Sequence, residues 1–353
     1  MPGGTLHSTR IEVSDPLAAI EAYFEKGWTD GLPVVPPTEE RIWAMLDAMG
    51  RKPKDILGEI PARARTISAE KLAINAVMAG CLPAYAPVLL AVTEALCDPA
   101  FSAHGPTAST SGMGVLTIVN GPIASQIGLN ARENLFGPGW RANATIGRAL
   151  RLLLRNVCGA IPGVLDRSCF GHPGKFTYCI AEDEAHCPWI PLHAERGIPA
   201  GESAVTLFAG ESPHQASNSS ASDPEAILAT IADVMTVAGH LSLSGQQFVV
   251  IIAGEHRMRL CKRGWTKKDI RVWLHEHAVR SEADLARAGR LPPPETSDHA
   301  ARQHRAVAEP EDILVVAAGG DAGGYSAVIP GWSGKLHSQA VTRMIPPCPT
   351  CHV

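Results

Sequence analysis

An α/β protein, built as two α/β subdomains with mixed sheets flanked by helices, is the fold class that the sequence predicts. Three observations lead there. Helix signals alternate with short β-branched apolar runs along the chain. The 353 residues exceed what one core usually serves and suffice for two. Hydrophobic residues make up 45%, so burial can drive folding.

Taken in order, residues 1–36 predict a tether, a short helix from Pro16 to Lys26, and a proline-rich extended stretch from Gly27 to Pro37, because proline removes donors and biases its predecessor away from helix. Thr38 is placed to cap a helix over Glu39 to Met49 that Gly50 ends. Ser68 starts another, with Leu72, Ala73, Ala76 and Val77 as its apolar contacts, and Pro83 and Pro87 open a third that ends near Cys97. Val115 to Val119 predicts a buried strand, Trp140 to Asn156 a long helix, and Lys175 to Ala181 and Ala204 to Phe208 two further strands. Asp223, Pro224 and Glu225 combine a cap, a proline at the first helical position and a first-turn acid, so a helix follows to near Gly239. Gln247 to Ala253 predicts a central strand. Thr266 and Asp269 form a capping box, with Trp265 and Ile270 as the staple. Gly289 to Glu309 is polar and proline-containing, which predicts a linker, and Asp312 to Ala318 predicts the last clear strand. The expected units are 37–205 and 206–353, after the tether. Gly-Trp-Thr occurs at 27–29 and again at 264–266, too short a match to claim duplication.

Composition narrows function. A net charge of −4, from 31 basic and 35 acidic residues, argues against nucleic acid or a membrane surface as partner. Aromatics at 5% argue against a base-stacking platform. No apolar run of membrane-spanning length or export signal is evident, so a cytoplasmic location is expected and the nine cysteines are expected to be reduced.

The sharpest chemical signal is electrostatic. Between Pro99 and Leu165 the one acid is Glu133, against Arg132, Arg141, Arg148, Arg151 and Arg155. At about 100° per residue, the last four fall within an arc of about 80° on one helix face. Gly139 precedes that helix and lets backbone approach a ligand, so an anion held by Gly139, Arg141 and Arg148 is expected. The plain alternative is an amphipathic helix with a solvated arginine face. A second signal runs from Ser168 to Glu184. It gathers His172, Lys175, Tyr178, Cys179, Glu182 and Glu184, enough for acid–base work, although a structural turn with ion-paired ends reads equally from the same residues. Cys81, between two helices, is a thiolate only if it faces the start of the second. His186, Cys187 and His193, near the acidic cluster, offer ligands for a metal, with a satisfied structural histidine the better-supported reading. The glycine-rich loop Gly319 to Gly324 follows a strand and leads into extended Tyr325 to Ile329, so Gly320 and Tyr325 are read as substrate-loop residues, together with Asn120 and Asn143. Cys348, Cys351 and His352 can hold zinc or another soft divalent metal, or form a redox pair, but a complete zinc site needs a further ligand.

Five runs, Asp30 to Thr38, Ala73 to Cys81, Asn120 to Pro122, Gly139 to Arg148 and Gly171 to Lys175, resemble a bacterial family associated with, and sometimes fused to, UGSC-motif selenoproteins. Gly264 to Asp269 and Gly319 to Gly324 match it more loosely. The chain itself has no UGSC segment, and Cys169 stands where the resemblance implies threonine. The resemblance implies thiol or selenol redox chemistry and a redox partner protein; it implies no substrate.

The expectation is therefore a homo-oligomeric enzyme, a lyase or oxidoreductase, acting on a small organic anion. Arg141 and Arg148 bind; His172 and Lys175 move protons with Glu182 or Glu184; Cys81 or Cys179 supplies a thiol. The alternatives are a metal- or thiol-carrying redox protein that uses the Cys-x-x-Cys-His tail, and a non-catalytic subunit of a selenoprotein-type redox system.

Overall fold

The computed structural model describes residues 5–237, 239, 245–334 and 337–348. The protein is α/β: two four-stranded mixed sheets pack face to face, with helices on both outer faces. Two small hairpins lie outside them. One pairs β1 (Ile56–Ile60) with β2 (Arg65–Ser68), and the other pairs β8 (Val279–Ser281) with β9 (Gln303–Arg305). The first sheet holds β3 (Gly114–Asn120), β4 (Cys179–Ala181), β5 (Ala204–Gly210) and β12 (Val341–Met344), in the order β12-β5-β3-β4. The second holds β6 (His214–Ser217), β7 (Phe248–Ile252), β10 (Ile313–Ala317) and β11 (Tyr325–Pro330), in the order β10-β7-β11-β6.

Alternation along each strand explains the layers. Val249 and Ile251 point between the sheets, with Leu314, Val316 and Ile329, to meet Leu116, Ile118, Ile180 and Phe208. Phe248, Val250 and Ile252 point outward under helices Pro224–Met235, Gly254–Lys262 and Lys267–His277. On the first sheet, Val205 and Leu207 point outward under helices Glu39–Met49, Ala69–Ala79, Ala86–Cys97 and Arg141–Asn156. Strands buried on both faces read as unbroken apolar runs, which is why β3, β7 and β10 stand out in the sequence.

The two sheets share one topology. In each, a first strand (β3, β7) pairs parallel to the next of its unit (β4, β10), then antiparallel on its other side to a third (β5, β11), with a fourth at the edge. The edges are exchanged: β6 follows β5 yet joins β11, and β12 follows β11 yet joins β5. The registers match as well. Val119 pairs with Ala181 as Ile252 pairs with Ala317, and two residues beyond lie Gly121 and Gly254. This internal repeat leaves no sequence period. The two Gly-Trp-Thr copies occupy unrelated places, the second linking helices Gly254–Lys262 and Lys267–His277 and the first preceding the extended Pro33 to Pro37 stretch. The expected break at 205/206 falls inside β5, and the C-terminal β12 returns to the first sheet.

Several local expectations need correction. The strand expected from Lys175 is confined to Cys179–Ala181, because Pro173–Lys175 makes a 3-10 turn capped by the His172 ring. Thr38 sits at its helix start without a side-chain cap, whereas the Thr266–Asp269 capping box forms. The expected linker carries a short helix at Ser297–Ala301 and strand β9.

Candidate functional site

The arginine-rich helix Arg141–Asn156 does not present its charges to a ligand at Arg141 or Arg148. The Arg141 guanidinium donates to the Gly80 carbonyl from Nε and Nη2, at 3.1 and 2.9 Å. Arg148 grips Asp30 with two bonds of 2.8 Å and adds the Leu32 and Pro33 carbonyls, and Arg155 donates to the Gly27 carbonyl. Arg148 and Arg155 fasten the extended segment 27–33 by donating to its Gly27, Leu32 and Pro33 carbonyls and to the Asp30 carboxylate. Gly139 has a positive φ of 132° and open space beside it, and no arginine of the helix joins it. Asn143 braces Asn130 and the Cys179 carbonyl. The anion site expected on this face is therefore a set of structural staples.

Arg151 alone of the four turns inward to the second motif. Asp166 accepts from Lys175 Nζ at 2.6 Å, from the Ser168 hydroxyl at 2.5 Å and from Arg151 Nη2 at 3.3 Å, and Lys175 also donates to Ser168 Oγ at 2.7 Å. Burial would raise the Asp166 pKa, but the bonds from Lys175 and Ser168 outweigh it and hold the carboxyl below its usual range. Burial lowers the Lys175 pKa against the opposing pull of Asp166. Burial also lowers the His172 pKa, favouring the neutral ring, which packs edge-on against Tyr178 at 5.5 Å.

His172 and Lys175 do not meet Glu182 and Glu184. The His172 turn packs at Gly114, the start of β3, whereas Glu182 and Glu184 both bind Asn120, its end. At about 3.3 Å per residue those ends lie roughly 20 Å apart. Glu182 is a buried structural ion: it accepts from Lys267 Nζ at 2.7 Å and from the amides of Leu192 and Ala317. Glu184 caps the Gly121 amide at 2.7 Å. The cysteines fail as nucleophiles. Burial pushes the Cys81 thiol up to about 12, and it raises Cys179 as well. Tyr178 is buried with its hydroxyl on the Glu211 carbonyl. Tyr325 is exposed, and Gly320 spends its carbonyl on the Gly254 amide.

A cleft of ligand size lies beyond the carboxyl ends of β4, β7 and β10, away from the residues expected to carry the chemistry. Its volume is 650 Å³, in the range of small-molecule sites. Arg132, His186, Arg257, Lys262, Cys261 and Asp321 are among its lining residues. Parallel strands β7 and β10 deliver helix Gly254–Lys262 and the Gly319 to Gly324 loop to one edge, the usual position for ligands in open α/β sheets. Asp183, buried just after β4, binds Arg257 Nη2 and His186 Nδ1, each at 2.8 Å. Burial would raise the Asp183 pKa, but these two bonds prevail and keep it low, so Asp183 is a carboxylate at neutral pH. Arg132 pairs with Asp321 across the cleft mouth, and Glu255 is neutralised by Arg259. Arg257 is only 4% exposed, and its Nη1 is buried without a hydrogen-bond partner. Burial raises the Cys261 pKa, which keeps that thiol protonated.

Of the sequence-predicted residues, the structure joins Asn120, Glu182 and Glu184 in one network; Lys175 joins Asp166, Ser168 and Arg151 in another, and the His172 ring caps the Gly174 amide instead. Arg132, Asp183, His186, Arg257 and Lys262 were missed as a group; the strand-to-helix turn Ala253–Gly254–Glu255 was the available signal. Cys351 and His352 of the expected metal trio lie outside the described residues, and Cys348 Sγ lies 3.9 Å from the Ala48 carbonyl oxygen. Among the described residues, no group of three or more His, Cys, Asp or Glu side chains could hold a metal ion. No helix among them is long and apolar enough to cross a membrane. Comparison with protein-family models, with curated proteins and with solved structures gives no match.

Proposed function

We propose that the chain is an enzyme that binds a small organic anion in the cleft beyond β4, β7 and β10 and acts on it by proton transfer. The observation that carries this reading is the Arg257 side chain, a buried guanidinium that lines a ligand-sized cleft and whose Nη1 has no hydrogen-bond partner. A buried polar group left unpaired is costly, so a site that keeps one is expected to satisfy it with a ligand. Arg257 and Lys262 hold the anion. His186 moves the proton, with Asp183 fixing its Nδ1 and leaving Nε2 for exchange. With Cys261 protonated, a lyase-type proton transfer suits the site better than thiol chemistry.

Titration calorimetry with a panel of mono- and dicarboxylates and phosphate monoesters tests this. A charge-assisted bond is worth about 1.5–3 kcal/mol, so Arg257→Lys and Lys262→Gln should each weaken the best binder roughly 10- to 100-fold. Arg141→Gln should leave its affinity unchanged, because Arg141 is occupied by Gly80. Unaltered affinity in both cleft variants would overturn the reading.

A further inference from the structure

A second, smaller cavity lies far from the cleft, beneath the middle of helix Arg141–Asn156. It measures 20 Å³ and is lined by Arg151, Lys175, Asp166 and Thr107 together with apolar side chains such as Leu150 and Leu154. A space of this size takes one water-sized particle and no organic acid.

Its charges do not balance. Three other buried carboxylates each sit against a close cation: Glu182 against Lys267, Asp183 against Arg257, and Asp30 against Arg148. Here Arg151 and Lys175 share one carboxylate among the described residues, Asp166. Both cations are largely buried, with side chains 14% and 15% exposed. The carboxylate has no capacity to spare, since Oδ1 takes the Ser168 amide and hydroxyl while Oδ2 takes both cations. Arg63 reaches the same wall through Thr107 Oγ1, and its hydrogen bonds go to neutral partners: carbonyls of Ala103, His104 and Cys158, the Thr107 hydroxyl and the His104 ring. Uncompensated positive charge inside a protein is expensive, and a monovalent anion is the simplest remedy.

We propose that this cavity is a binding site for a small inorganic monoanion, chloride or bromide, seated between Arg151 and Lys175 and stabilising the fold. It requires nothing of the cleft and stands independently of the function assigned there.

Thermal unfolding of the full chain, compared at constant ionic strength in sodium gluconate, chloride and bromide, tests it. The expected result is a saturable rise in Tm with chloride or bromide, of roughly 2 °C at tenfold excess over Kd, and none with gluconate. Arg151→Met leaves Lys175 and Asp166 paired one to one, so the halide-specific rise should vanish. Diffraction from wild-type crystals grown with bromide supplies a readout that needs no variant: an anomalous peak between Arg151 and Lys175 is expected. Equal Tm in gluconate and chloride, a halide effect that persists in Arg151→Met, or a cavity holding only water would each overturn the proposal.

Discussion

Replacing Lys267 with methionine is expected to destabilise the protein by about 3–5 kcal/mol, because it strips a buried carboxylate of its counter-charge. Lys267 and Glu182 are 2% and 5% exposed, and they bond at 2.7 Å across the two halves of the chain. Glu182 also gathers Asn120, Leu192 and Ala317, so its position ties the end of β3, the short helix Leu192–Glu195 and the end of β10 to one carboxylate. Removing the positive partner leaves that carboxylate where water cannot reach it. The double variant Lys267→Met with Glu182→Gln should recover part of the loss, since it carries no charge and its one amide oxygen still accepts from Leu192 and Asn120, while its NH2 replaces the acceptor of the Ala317 amide. Denaturant unfolding measures both. A loss below about 1 kcal/mol in the single variant would mean the pair behaves as a surface bridge.

Gly121→Ala should cost about as much, for a different reason. Gly121 has φ 86° and ψ −175°, a region open in practice to glycine alone, where other residues carry about 1–3 kcal/mol of strain. A Cβ there would also lie 2.7 Å from Ser203 Cα and press on the Glu202 carbonyl, both backbone atoms that cannot swing away. Strain and overpacking together predict a loss of about 3 kcal/mol or more. The same denaturant experiment checks it, and a neutral substitution would contradict the close approach of β3's end to the segment before β5. Gly254 holds the equivalent position in the second sheet and is crowded by Asp321, so the repeated unit keeps a glycine at both places.

Most of the secondary structure was legible in the residues, and the reasons are local. The long helix starts and ends within a residue of its expected bounds because Ile146, Ala149, Leu150 and Leu153 keep a 3.6-residue period. The helix after Asp223 carries its cap in its own sequence, and β7 and β10 are runs of Val and Ile. What stayed hidden depends on distant partners. Edge strands β6 and β12 exist because each was exchanged into the other's sheet, and nothing within His214–Ser217 or Val341–Met344 announces that pairing. Likewise Asp183 and Arg257 lie 74 positions apart in the chain and meet only when both sheets stack.

The site shows the same division. Reactive residue types do cluster between Ser168 and Glu184, but the chain there runs the length of the sheet, so His172 and Glu182 emerge at opposite ends. The arginine excess is real, and Arg148 and Arg155 spend it on the carbonyls and the Asp30 carboxylate of segment 27–33, which they hold in place. Charge counted along a sequence shows that partners are needed without identifying them.

Where an organic anion binds decides the role of the cleft. A crystal structure of the complex with the tightest-binding carboxylate or phosphate of the titration panel decides this. The result expected is an anion oxygen within hydrogen-bonding distance of Arg257 Nη1, in the cleft that His186 and Lys262 line. An anion lodged on the Arg141 and Arg148 face, with Arg257 Nη1 still unpartnered, would contradict it.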